Sequence, residues 1–228
     1  MPRLNFHQER IIVFLFSLII TIDLNSQIEV PSHLPLIVIE TGGQNINADS
    51  KITARLKVID NGPGALNSTF QNGTDYDGNT GIKIRGQSSQ MFPKKSYSLE
   101  LRSISGADTT ASLLGMPGEE DWVLYAPYSD KTMLRNALTF HLGSRLGGWQ
   151  PRNKWCEVYL NGNYIGIYQL MESIKRDSNR VDISKLKPDE LSGDDLTGGY
   201  IIKADKIDVG SVDFFQIFPS VHYRNSDN

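Results

Sequence analysis

The sequence predicts an α+β domain, a β-rich antiparallel sheet with hairpins and one main helix. Three observations carry that expectation. Ile82 and Ile84 alternate with Lys83 and Arg85, and Tyr97, Leu99 and Leu101 alternate with Ser98, Glu100 and Arg102. That period of two marks strands with one buried face. Asn161-Gly162 stands between two further alternating runs. A type I′ hairpin turn needs positive φ at both central residues, and this dipeptide supplies it. One stretch, 134–146, has apolar residues at helical spacing. It stands between hairpins, so strands and helices do not alternate as βαβ units.

In chain order, "LPLIVIET" (34–41) is a β-branched apolar run closed by Gly42-Gly43 and reads as a buried strand. "ITARLKVID" (52–60) alternates and reads as a second. Residues 61–80 are dense in Gly, Asn, Asp, Ser and Thr and read as a loop or long turn. The hairpin of 81–102 follows. After a turn, 122–126 form a strand. Ser129 or Asp130 can cap a helix starting near Lys131. Its repeating positions are Leu134, Ala137, Leu138, His141, Leu142 and Leu146, and Gly147-Gly148 stops it. "WCEVYLNGNYIGIYQLMES" is the second hairpin. Residues 175–199 are polar, broken by Pro188 and glycines, and read as connection. "GYIIKAD" is a last strand, and the pattern decays after Asp208.

The chain has 228 residues, enough for a core within one domain. Its net charge of −3 gives no support for a nucleic-acid binder, which would carry a basic excess. Residues 1–26 read as a signal peptide. Arg3 and Arg10 precede the apolar run "IIVFLFSLIITI", and Ser26 supplies a small residue before cleavage. The run is shorter than the about 20 residues of a membrane helix. The expected location is secreted or cell-surface, with membrane attachment only if this segment stays uncleaved. Cys156 is the single cysteine, so no intramolecular disulfide forms, and its alternating context reads as a buried, inert thiol. Sequons begin at Asn67 and Asn72.

Four constellations could carry chemistry. Between the two strands of the first hairpin lie about ten residues where two would suffice. Arg85, Gly86, Ser88, Ser89, Lys94 and Lys95 together offer a close backbone approach, hydroxyl donors and compact cationic charge, which a phosphate requires. The same residues also fit a solvated loop, and they match neither a Walker A nor a G-x-G-x-x-G sequence. "DKTMLRN" (130–136) reads as a helix start. "YQLMESIKRD" reads as a strand exit, with Lys175, Arg176 and Asp177 in a polar turn. Asp194 and Asp195 read as a turn rather than a cation loop. The histidines His7, His33, His141 and His222 have no zinc-ligand spacing, and no metal-binding residue is assigned.

Several blocks together point further. "IKIRGQSSQMFPKKSYSLELR", "LLGMPGEEDWVLYAPYSDKTMLRNALTFHLGSRLG", "CEVYLNGNYIGIYQLMESIKRDSNRVDISKL" and "DDLTGGYIIKADK" resemble the CotH family, in the family's order. The family includes spore-coat protein H and looks like a distant, exported relative of protein kinases. The resemblance covers roughly 34–208, within a CotH-like region taken as 27–208, with 209–228 an altered or truncated tail. It implies the N-terminal lobe of an atypical kinase, with ATP and Mg²⁺ or Mn²⁺ in a cleft. It places the Gly86–Ser89 turn over the phosphates, and Lys94 or Lys95 as the phosphate-pairing lysine. It places Glu172 near the nucleotide's base, and the helix after Asp130 where kinases keep helix αC. Family members hold a Trp-Asp-x-Asp-like metal motif further on, and this chain has no Trp-Asp pair.

The function this implies is phosphoryl transfer from ATP to Ser/Thr of a secreted or surface protein. The expectation is that the chain is inactive alone, because the catalytic and metal-holding aspartates belong to a second lobe. The alternative is a non-catalytic coat or cell-surface interaction module, for which Phe214, Phe215, Phe218 and Tyr223 would supply contacts. A third option is a carbohydrate-binding β-domain stacking sugars on Trp149, Trp155 and Tyr164.

Overall fold

A strand can bury both faces only when it has neighbours on both edges and cover on both sides, and the first strand of this chain meets both conditions. The computed structural model describes residues 30–194, 199–204 and 221–223, with backbone alone for 202–204 and 221–223. The signal segment and most of the tail lie outside the described residues. Strands β1 (Leu36–Glu40), β2 (Ile52–Ile59), β3 (Tyr76–Arg85), β4 (Ser96–Arg102), β7 (Asp121–Tyr125), β8 (Asn153–Leu160) and β9 (Asn163–Glu172) form the main sheet. Two short strands, β5 (Ala111–Leu113) and β6 (Met116–Glu119), make a separate hairpin. Helix α1 spans Arg135–Arg145, and β10 (Ile202–Ala204) pairs with β11 (Val221–Tyr223).

The main sheet closes on itself in the order β1-β2-β3-β4-β7-β9-β8. All neighbours are antiparallel except the seam, where β1 runs parallel to β8 with Leu36 opposite Glu157 and Ile39 opposite Leu160. Inside lie Ile37, Ile39, Leu56, Ile82, Leu99, Trp122, Leu124, Val158, Tyr168 and Leu170, all fully or almost fully buried. On the outer side of the seam, Leu36 and Val38 pack with Ile59 under Tyr159.

This corrects the expected α+β lobe, a sheet with a main helix against it. The structure is a closed seven-stranded barrel with one α-helix among the described residues. The physical reason is the double pairing of β1. It removes both free edges of the sheet, and the barrel's own side chains fill the concave face. No residue of α1 is buried. Its half-buried positions are Asn136, Ala137, Phe140 and Gly143, while Leu134, Leu138 and Leu142 face outward.

Both expected hairpins form. Ile82 pairs with Leu99 and Ile84 with Tyr97. Asn161 and Gly162 turn with φ of 48° and 74°. Asn161 also ties the seam. Its Oδ1 accepts the Thr41 N–H at 2.8 Å, and its own N–H donates to Ile39 O at 2.9 Å. Two elements differ from expectation. Tyr76–Thr80, expected as loop, extends β3 along β2. Helix α1 starts four residues later than expected, after Met133 adopts φ of 57°.

Asn161→Ala is expected to lower stability by about 2 kcal/mol, from a strained left-handed residue and a lost hydrogen bond. Asn161→Gly keeps the turn and is expected to lose about half as much. Urea denaturation of the two variants checks this; equal losses would show that backbone strain contributes nothing.

Candidate functional site

The long loop is ordered by its own polar groups. β3 ends at the exposed Arg85, and Gly86 follows with φ of 98°. A Cβ on Gly86 would lie 2.0 Å from Ser89 Oγ, so only glycine fits the turn. Ser88–Met91 form a 3₁₀ turn, with Ser88 exposed. Gln90 Nε2 donates back to Gly86 O. Phe92 stacks on Tyr128 with ring centroids 5.0 Å apart, which ties the loop to the segment before α1.

The two lysines, adjacent in sequence, go to different places. Lys95 Nζ folds back and donates to Gln90 O at 2.6 Å. Lys94 Nζ crosses to β9, donates to Ile167 O at 2.5 Å and lies 4.5 Å from the centroid of the Tyr168 ring. Burial holds its pKa below the ordinary lysine value. Among the described residues Lys94 has no carboxylate partner, so its fixed contacts are a carbonyl and a π-face. β9 makes room for it. Gly166 sits at a bulge between β8 and β9 with φ of 101°, and a Cβ there would lie 3.1 Å from Lys94 Nζ.

Behind Lys94, Cys156 on β8 is fully buried, with Sγ 3.7 Å from Tyr168 O. Burial pushes its thiol up to about 12, matching the expected inert cysteine.

Glu172 is not beside the loop. It ends β9, five residues past Ile167, or about 16 Å along the strand. It is 1% exposed, and Arg152 holds it. The Arg152 backbone N–H and Nε both donate to Glu172 Oε2 at 2.9 Å, and Nη2 lies 2.7 Å from Oε1. The structure therefore brings Arg85, Gly86, Ser88, Ser89, Lys94 and Lys95 into one loop and leaves Glu172 in a separate ion pair.

Asp130 serves the helix start. Its Oδ2 accepts the Arg135 N–H at 2.9 Å, and its Oδ1 accepts the Thr132 hydroxyl at 2.7 Å. Those bonds hold its carboxyl below the usual range. Gln169 of β9 donates to Met133 O at 3.0 Å, which fixes the helix entry to the barrel.

The sequence reading missed one charged cluster. Glu119, Glu120 and Asp121 bring carboxylate oxygens within 4.8 Å of one another, a grouping that could hold a metal ion. Lys175, expected in a polar turn, fills it instead. Its Nζ lies 3.0, 2.7 and 3.2 Å from the three carboxylates. Buried Arg180 adds a contact at 3.7 Å to Glu119 and donates to Asp121 O and Ser173 O. Burial and the shared bond with Glu120 push Glu119 up, while the same bond and Lys175 hold Glu120 down. The partners are 54 to 56 residues apart, so no local pattern announces them. The acidic run Glu119–Asp121, three carboxylates without an adjacent cation, was the available signal.

Of the two sequons, Asn67 is fully buried and donates to Leu34 O at 2.9 Å, while Asn72 is exposed.

A family model described as CotH kinase protein matches residues 82–226. The chain belongs to that family. The match begins inside β3, so in this CotH-family chain it takes in the long loop, both lysines, the acidic cluster and Glu172. β1 and β2 precede it, although the barrel cannot close without them. No curated protein matches the chain.

In this CotH-family barrel, Lys175→Met is expected to cost about 3 kcal/mol at pH 7, because three carboxylates lose their cation. Without the shared ammonium, repulsion between the neighbouring carboxylates of Glu119 and Glu120 raises their pKa values. The variant's stability is then greatest at low pH and falls as pH rises through those values. Thermal melts between pH 4 and 7 check the sign; a variant that melts higher at pH 7 than at pH 4 would contradict it.

Proposed function

We propose that this CotH-family chain is the nucleotide-facing part of an exported protein kinase that transfers phosphate from ATP to Ser/Thr of secreted or surface proteins. The observation that carries this is Lys94. A partly buried ammonium whose fixed partners are neutral is short of negative charge, and a phosphate would supply it. The loop around it suits an anion. Gly86 exposes backbone, Ser88 offers a free-facing hydroxyl and Arg85 adds charge.

The residues fit the phosphates of ATP better than they fit the metal. Among the described residues, the one grouping of three acidic side chains already holds the Lys175 ammonium. In the proposed division of roles, Lys94 pairs with phosphate oxygens, Gly86–Ser89 approach them with backbone N–H groups, and Lys95 braces the loop through Gln90. ATP supplies the phosphoryl group. An aspartate to orient the attacking hydroxyl and carboxylates to hold the metal would come from outside the barrel. The apolar run at 11–22 supports export.

Calorimetry with ATP and Mg²⁺ on the full chain tests the reading. Lys94→Ala is expected to weaken binding at least tenfold. Lys95→Ala is expected to change it less than threefold while lowering stability by about 1 kcal/mol through the loss of one hydrogen bond. If neither substitution changes ATP binding, or if the parent chain binds no ATP, the nucleotide assignment is wrong.

A further inference from the structure

The outer face of α1 carries a row of apolar side chains that none of the described residues covers. Leu134, Leu138 and Leu142 are 55%, 56% and 53% exposed, and Leu146, just past the last turn, is 89% exposed. Their spacing of four places them in one line along the helix. Between Asp130 and Glu157 the chain has no Asp or Glu, yet it has Lys131, Arg135, Arg145, Arg152 and Lys154, in a protein whose net charge is −3. Arg152 is committed to Glu172. Arg135 approaches Asp130 at 3.6 Å but stays 78% exposed. Arg145 bonds His141 at 3.2 Å beside the leucine row. The helix is held in place by Asp130 and by Gln169, so the row is a fixed surface.

We propose that this face docks an acidic amphipathic helix of a partner protein. Leucines four residues apart form a ridge that fits the groove of a second helix. Carboxylates flanking that groove would meet Arg135 and Arg145, giving steering and register. A second copy of the chain fits less well, because a two-fold contact would bring the same arginines together. An anionic membrane surface also fits less well. Interfacial helices turn their aromatic residues into the bilayer, whereas Phe140, the aromatic residue of α1, lies on the half-buried face toward the protein. This inference does not rest on nucleotide binding.

The test titrates the full chain with a designed helical peptide carrying a leucine at every fourth position and flanking glutamates. Its counterpart carries lysines instead. The glutamate peptide is expected to bind at least tenfold more tightly, and less tightly as salt rises. Leu138→Ser with Leu142→Ser is expected to weaken it at least tenfold with an unchanged melting temperature, because both leucines are more than half exposed. Equal affinity for the two peptides overturns the proposal. So does binding to phosphatidylserine vesicles, or a concentration-dependent dimer in sedimentation, that the double substitution abolishes.

Discussion

The pairing of β1 with both β2 and β8 governs the rest of the structure. Five residues supply the last row of hydrogen bonds, and with them the sheet loses its edges. The inner side of β1 adds Ile37 and Ile39 to the core, and its outer side is covered by Ile59 and Tyr159. Thr41 and Asn161 fasten the seam just beyond the last pair. The strand that anchors the fold, β1, lies outside residues 82–226, the stretch that matches the CotH family.

Closure also settles what the helix and the loop can be. A barrel packed with its own side chains leaves only an outer position for α1, whose half-buried residues are Asn136, Ala137, Phe140 and Gly143 rather than its leucines. The loop of residues 86–95 gains its stiffness from the barrel as well. Lys94 lies close against Gly166 of β9, and Phe92 leans on Tyr128. The charged groups that gather elsewhere on the surface, around Lys175 and around Lys51 with Glu100, neutralise one another, whereas the ammonium of Lys94 is held by a carbonyl and a π-face.

What could be read from the sequence was what neighbouring residues decide. Asn161-Gly162 dictated a turn, and the alternations at 82–85 and 97–102 dictated a register, because both depend on chemistry within a few residues. The stop at Gly147, with φ of 92°, was of the same kind. The parallel seam was not legible, since Leu36 and Glu157 are 121 positions apart. Nor was the β5–β6 hairpin, whose turn places Leu114 at φ of 51°, a conformation its side chain does not advertise. Tyr76–Thr80 lacks apolar alternation and gave no strand signal. The helical spacing of the leucines was real, but spacing shows that a face exists and not which way it points. In the candidate site the loop was legible and the split between Lys94 and Lys95 was not, because the partners of Lys94, Ile167 O and the Tyr168 ring, lie far along the chain. Glu172 likewise reads as a strand end until Arg152 is seen to hold it.

Cys156 lies on β8, one of the two strands of the seam. Fully buried and holding its proton to about 12, it is chemically silent while the barrel is shut. A thiol reagent can reach it only when the core around β8 opens, so the rate of its labelling times that opening. The chain's single cysteine is therefore a built-in clock for the opening of the barrel.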